Sequence, residues 1–350
     1  PAFEEAVQLD PNYAPSWYEL FFYYYYRDVN KAAEYFDKYL AVSDASPNNE
    51  YDRISIIYAR KMYTEAIAAA QQKITAEADK ADPRYYKLIA YSYDESKDSA
   101  NAKTYMDQYF AKQKPEGVLP KDYSFYAKLL GQFSQYDDAY KNYRLAIAAD
   151  TSMEAKVDLL KEASALAKKS GNRAEEANWL GEAYKMKPNP NQNDLYNWGL
   201  AHYQSANYVT ADSIFCGLYQ TAYPNEIFGY LWCARAKEGQ DTTWASGIAE
   251  APYQMLADKA ITIDSTKYKR IAIDARFKLV VFYNDVKKDK DAAIRELDKI
   301  LSMDAANADA TRIRDILNKP APKTAPPARP RTGTTKPPAP PKPPVKNGNR

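Results

Sequence analysis

Histidine occurs once in these 350 residues, cysteine twice and glycine 11 times. Each shortage excludes something. A lone histidine, His202, with no partner at ligand spacing, is a poor start for a metal site or an acid–base pair. It falls on a helix packing seam, where an aromatic ring is expected. Scarce glycine leaves no phosphate-cradling loop and no Gly-x-Ser-x-Gly elbow. The near absence of β-branched alternation removes the sheet folds, so the body reads as helical. No apolar run approaches the roughly 18 residues that a membrane-spanning helix needs. Cys216 and Cys233 form no metal-spaced cluster. They read first as small buried hydrophobes; a disulfide between neighbouring helices, fitting an oxidising compartment, is the other reading. Acid pairs such as Asp137-Asp138 and Glu175-Glu176 stand at helix starts or turns, where the helix dipole and solvent account for them. An enzyme, a cofactor and a bound metal are therefore not expected.

Acid is also missing locally. Residues 319–350 hold eight Lys or Arg, no Asp or Glu, and 11 of the 22 prolines. The rest of the chain keeps 40 basic and 46 acidic residues, a net charge of −6 hidden under the overall +2. A Pro/Lys segment buries no apolar surface, so 319–350 reads as a disordered, extended tail. Its Pro-x-x-Pro spacings suit aromatic grooves, and its charge suits an anionic polymer or surface. It has no aromatic residue to stack on bases, so nucleic acid is not expected as a partner.

What the body does have is a repeat. In the stretch 121–151, Tyr123, Tyr126, Ala127 and Leu130 fall on one face of a helix, and Ala139, Tyr143 and Ala146 on one face of a second. The alanines let the two helices approach, and the larger residues fill the grooves beside them. One such pair cannot bury its own apolar face and needs neighbours. The same pattern returns as Tyr86, Ala90, Tyr93, Ala102 and as Leu195, Gly199, Ala211, Phe215. Alanines 32, 66, 102, 139, 177 and 211 mark the second helices, at steps of 34, 36, 37, 38 and 34. A gap of 82 to Ala293 holds an irregular seventh unit, with helices from about 227 to 238 and 252 to 263. A last helix, Ala308 to Leu317, reads as a cap.

A period near 34 with this small-and-large pattern resembles the tetratricopeptide repeat, over about residues 1–305. The tyrosine-rich texture also looks like tetratricopeptide proteins of the Bacteroidota envelope. The resemblance implies an all-α, right-handed α-solenoid of about eight helix pairs over residues 1–318. The chain opens in mid-repeat, as a fragment or processed product would.

In such a solenoid the inner positions of the first helices line a groove. Here they hold Tyr18, Phe22 and Tyr25; Lys87, Tyr91 and Asp94; Ser124 and Lys128; and Tyr196, Leu200 and Tyr203. The run Phe21 to Tyr26 covers every side of its helix with aromatics. The Lys, Asn and Arg set that grips a C-terminal carboxylate in some tetratricopeptide domains does not match, since Tyr18, Phe22, Lys87 and Tyr91 stand at its places. The expectation is a protein-binding scaffold in the bacterial periplasm or at the outer membrane, with a cytoplasmic location as the alternative. An adaptor or co-chaperone gripping peptides in the groove, and a tail-driven binder of anionic polymer, are the other readings. Proteins or peptides, not small molecules, are the expected partners.

Overall fold

A computed structural model describes residues 2–319. The basic proline-rich tail, apart from Lys319, lies outside the described residues. Two compact units are distinguished, one through Ala275 and one from Arg276.

In the first unit α1 (Ala2–Leu9) precedes six regular helix pairs. These are α2 (Ala14–Tyr25) with α3 (Val29–Val42), α4 (Pro47–Ala59) with α5 (Tyr63–Glu77), α6 (Pro83–Glu95) with α7 (Ser99–Lys112), and α8 (Pro120–Gln132) with α9 (Tyr136–Ala149). Then come α10 (Met153–Lys169) with α11 (Arg173–Met186), and α12 (Gln192–Gln204) with α13 (208–222). The seventh pair is α14 (Ile227–Gln240) with α15 (Glu250–Asp264). The division between the units falls within α16 (Lys269–Val281). Beyond it lie α17 (Lys290–Met303) and α18 (Ala308–Asn318).

The marker alanines behave as the spacing demands. Ala32, Ala66, Ala102, Ala139, Ala177, Ala211 and Ala293 are all wholly buried. Gly199 marks a close first-helix crossing: a Cβ there would lie 2.7 Å from the Phe215 ring. Each pair's core is filled by rings and alkyl chains around these points, such as Tyr143, Leu160 and Trp179 around Ala139 and Ala163.

Helix starts are capped by short polar side chains. Asp28, Ser46, Asp82, Asp98, Ser152, Asn172, Asn191 and Asn207 each accept from backbone N–H groups of the first turn. Such a cap contributes about 1 kcal/mol.

The turns inside the pairs explain how the chain manages with so little glycine. Lys61, Lys97, Ser134, Gly171 and Ala206 occupy the same place in successive turns, and all have positive φ. The next N–H then reaches back five residues, as from Asp98 to the Tyr93 carbonyl at 2.8 Å and from Asn207 to the His202 carbonyl at 2.9 Å. This closes the helix in the left-handed manner usually served by glycine. Only one of the five positions uses it.

Two segments depart from α geometry. Residues Ser213–Tyr219 in α13 and Phe282–Lys287 after α16 wind as π-helix. The irregular seventh pair has its helices where the sequence places them, but the connection is structured. Asp241 accepts from the N–H of Ala245 and Ser246, and Trp244 is buried against Tyr253 with ring centroids 5.2 Å apart.

In the second unit Leu279, Val280, Phe282, Leu297 and Ile300 are buried. Arg276 donates to Glu296 at 2.7 Å, and Lys299 to the other oxygen of the same carboxylate at 2.6 Å. The last helix buries Ala310 and holds charged residues outside, as expected of a cap.

Candidate binding face of the first helices

Within the first unit, most polar groups of the inner positions named from the sequence are engaged by neighbouring residues. Bonds run from one first helix to the next, between residues 30 to 36 apart. Tyr18 donates to Asp52 of α4 at 3.2 Å, and Tyr25 to the Ser55 carbonyl at 2.9 Å. Burial, then the Asp52 charge, pushes the Tyr18 phenol up to about 12. Lys128 of α8 pairs with Glu162 of α10 at 3.0 Å. Trp232 of α14 donates its indole N–H to the Tyr196 hydroxyl of α12 at 3.2 Å. Ser124 turns back on its own helix, to the Lys121 carbonyl. Asp94 is half-buried, and desolvation holds its carboxyl above the ordinary range.

Lys87 is corrected by the structure as a groove residue open to a partner, and Tyr91, half-buried, is tied to the same acid, Asp122. The Lys87 side chain is buried, and its ammonium lies 3.0 Å from Asp122. Tyr91 donates to the other Asp122 oxygen at 3.0 Å and sets its ring edge against Phe125 at 4.5 Å. Asp122 has no exposure at all, and it also accepts from the Tyr109 hydroxyl at 2.8 Å and the Leu119 N–H at 3.1 Å. Four donors from two helices and a loop thus converge on one buried carboxylate of a third helix. Burying an unpaired charge is costly, so the neighbours are drawn in to satisfy it. Sequence reasoning missed Asp122. Its signal was an acid in the first turn after Pro120, where it can reach back to the backbone N–H of Leu119.

The aromatic run on α2 divides in two. Phe21 packs on Phe36 with centroids 4.8 Å apart, and Tyr24 bonds Glu4 and Lys31. Phe22 and Tyr26 remain 58% and 76% exposed. Tyr23 carries the Arg27 guanidinium 4.0 Å over its ring.

A second aromatic area joins α12 and α14. Tyr196 meets Phe228 edge-on at 6.1 Å, and Tyr203 meets Trp232 at 4.9 Å. Leu200 lies half-buried between them, packed on the core of that pair. Phe228, Trp232 and Arg235 are the residues missed here. They continue on α14 the spacing that Tyr196, Leu200 and Tyr203 have on α12, and could have been found had the seventh pair been put in register.

Cys216 and Cys233 form a disulfide, with Cα atoms 4.9 Å apart, joining the π-helical segment of α13 to α14. The reading of two buried free thiols is thereby corrected. The Asp212 carboxylate lies close to both sulfurs, but it is engaged by Lys237 at 2.5 Å and Gln240 at 3.2 Å. His202 is half-buried 6.0 Å from the Trp198 ring, and burial lowers its pKa, as fits a packing role.

No protein-family profile matches the chain, and no curated protein matches it. Among solved structures, it is similar to the C-terminal part of a TPR repeat-containing protein from Cytophaga hutchinsonii: 25% identity, 75% of this chain, 98% of that one, TM-score 0.41. It is also similar to a tetratricopeptide repeat protein from Parabacteroides merdae: 9% identity, 77% of this chain, 98% of that one, TM-score 0.37. A third, titled as a functional characterization of Pseudomonas aeruginosa pilF, gives 19% identity, 58% and 86% coverage, and TM-score 0.40. The chain's own register of helix pairs, with buried alanines at each crossing and bonds running one repeat onward, is that of a tetratricopeptide-type α-solenoid.

Proposed function

We propose that this chain is a non-catalytic docking scaffold whose first-helix face receives other proteins, assembling them in the bacterial cell envelope. The observation that carries this reading is the division of labour on that face. Its polar groups staple one helix pair to the next, while Phe22, Tyr26 and Phe228 stay exposed on helices held rigid by those staples. Aromatic side chains on preorganised backbone anchor a partner at little entropic cost. A solenoid presents such anchors over a long surface. The disulfide supports an oxidising compartment.

The test is capture from the native cells, comparing the wild type with Phe22→Ala/Phe228→Ala. The expected result is a small, reproducible set of proteins whose recovery falls about tenfold in the variant, the size of an interface hot spot. Capture of nothing specific, or recovery indifferent to the variant, would sink the scaffold reading. The compartment is checked separately by alkylating free thiols in intact cells. Cys216 and Cys233 should resist alkylation until reduced; prompt labelling of both would place the chain in a reducing environment instead.

A further inference from the structure

The two half-buried rows on α12 and α14 form a shelf whose charge is unbalanced. Its floor is Tyr196, Leu200, Tyr203, Phe228 and Trp232. The Trp232 ring is fixed from three sides: its N–H is bonded to Tyr196, its ring lies along Phe215 at 26° and 6.2 Å, and its neighbour in sequence, Cys233, is cross-linked to α13. Phe228 is left 42% exposed. Over this floor stands the exposed Arg235, its guanidinium 4.9 Å above the Trp232 ring. Other cations on or beside the face have a carboxylate partner: Lys87 has Asp122, Lys128 has Glu162, and Lys237 has Asp212. Arg235 has no ion pair among the described residues. Glu238, one turn on, accepts instead from the Tyr253 hydroxyl. The exposed polar neighbours on α12, Asn197 and Gln204, are uncharged. A guanidinium over an indole keeps N–H groups free to take a carboxylate in two parallel bonds.

We infer that this shelf binds an extended segment of a partner protein in which an acidic side chain follows apolar or proline residues. The apolar residues would lie on Tyr196, Phe228 and Trp232, and the carboxylate would meet Arg235. The inference rests on the docking reading above and adds to it the place and the chemistry of recognition. A basic segment, including the tail of a second copy, would be repelled by Arg235.

The test uses the full chain and a fluorescein-labelled dodecapeptide of three Pro-Leu-Glu-Pro repeats, beside its counterpart with Lys for each Glu. Anisotropy should show saturable binding of the acidic peptide below about 1 mM. Arg235→Gln, an exposed change that spares the fold, should weaken it about tenfold, as should Phe228→Ala, and salt should weaken it further. Leu145→Ala, an exposed apolar change on α9 with no part in the shelf, should leave it unchanged. Equal binding of the two peptides, tighter binding of the lysine peptide, no saturable binding, or indifference to Arg235→Gln each overturns the inference. If the shelf fails while cellular capture persists, the scaffold docks its partners elsewhere; if capture fails too, both readings fall.

Discussion

Asp122→Asn is expected to cost about 3–5 kcal/mol, the range for breaking a buried, hydrogen-bonded charge pair. The carboxylate offers two oxygens to four donors, from Lys87, Tyr91, Tyr109 and the Leu119 N–H. An amide keeps one oxygen and turns two N–H groups toward groups that are themselves donors. It also leaves the Lys87 ammonium buried without its counter-charge. The loss should be local, because each helix pair is held chiefly by its neighbours. Amide exchange should therefore speed up in α6 and α8 well before the rest of the chain unfolds. Adding Lys87→Met should recover part of the loss, since it removes the ammonium left buried without a counter-charge. A single variant within about 0.5 kcal/mol of wild type, the scatter of ordinary surface changes, would show that the cluster is not a joint.

The same joint has an alkaline limit. Burial first, then Asp122, raises the Tyr91 and Tyr109 phenols above their ordinary range. A folded pKa above the unfolded value means that the folded state holds the proton longer. The tyrosines' contribution is therefore whole below about pH 10 and is lost as pH climbs beyond it. In the Asp122 variant the carboxylate part of that shift is absent, so the alkaline loss should be shallower.

Much of this was legible beforehand, and the reasons are specific. Ala66, Ala102 and Ala139 announced their helix crossings because close approach tolerates only small residues, a requirement written at single positions. The rotation of α12 was legible for the same reason, since its seam residues Leu195 and Gly199 pack against Ala211 and Phe215 of α13. Lys87 was misjudged because position on a face does not determine exposure. Asp122, 35 residues away, decides that, and nothing local pairs the two. Lys97 and Ser134 gave no sign of left-handed turns because the signal sought there is glycine. Phe228 and Trp232 were overlooked because the connection 241–249 is long and breaks the period, although α14 itself keeps register with α12.

Reduction of the Cys216–Cys233 bond is expected to remove about 3 kcal/mol from the sixth and seventh pairs. The bond closes a loop of 17 residues, and the chain-entropy estimate for a loop of that size is about 3 kcal/mol. Part of the effect reaches the binding face, because Cys233 follows Trp232 and the bond ties α14 to the one segment of α13 that departs from α geometry. A π-helical segment carries an extra residue in its turn and has weaker ladder support, so it depends more on side-chain ties. Cys216→Ala/Cys233→Ala is the better probe than serine, which would bury a hydroxyl at position 233. The alanine pair should match the reduced wild type in thermal unfolding, and reductant should have no further effect on it. Trp232 emission should shift to the red in both as the ring loses its fixed setting, and the acidic peptide should bind more weakly. Unfolding indifferent to reductant would mean that α13 and α14 hold each other through Phe215, Trp232 and Asp212–Lys237 alone. Matched stability loss with unchanged peptide binding would separate the staple from the shelf, and would leave Arg235 and Phe228 to carry recognition without it.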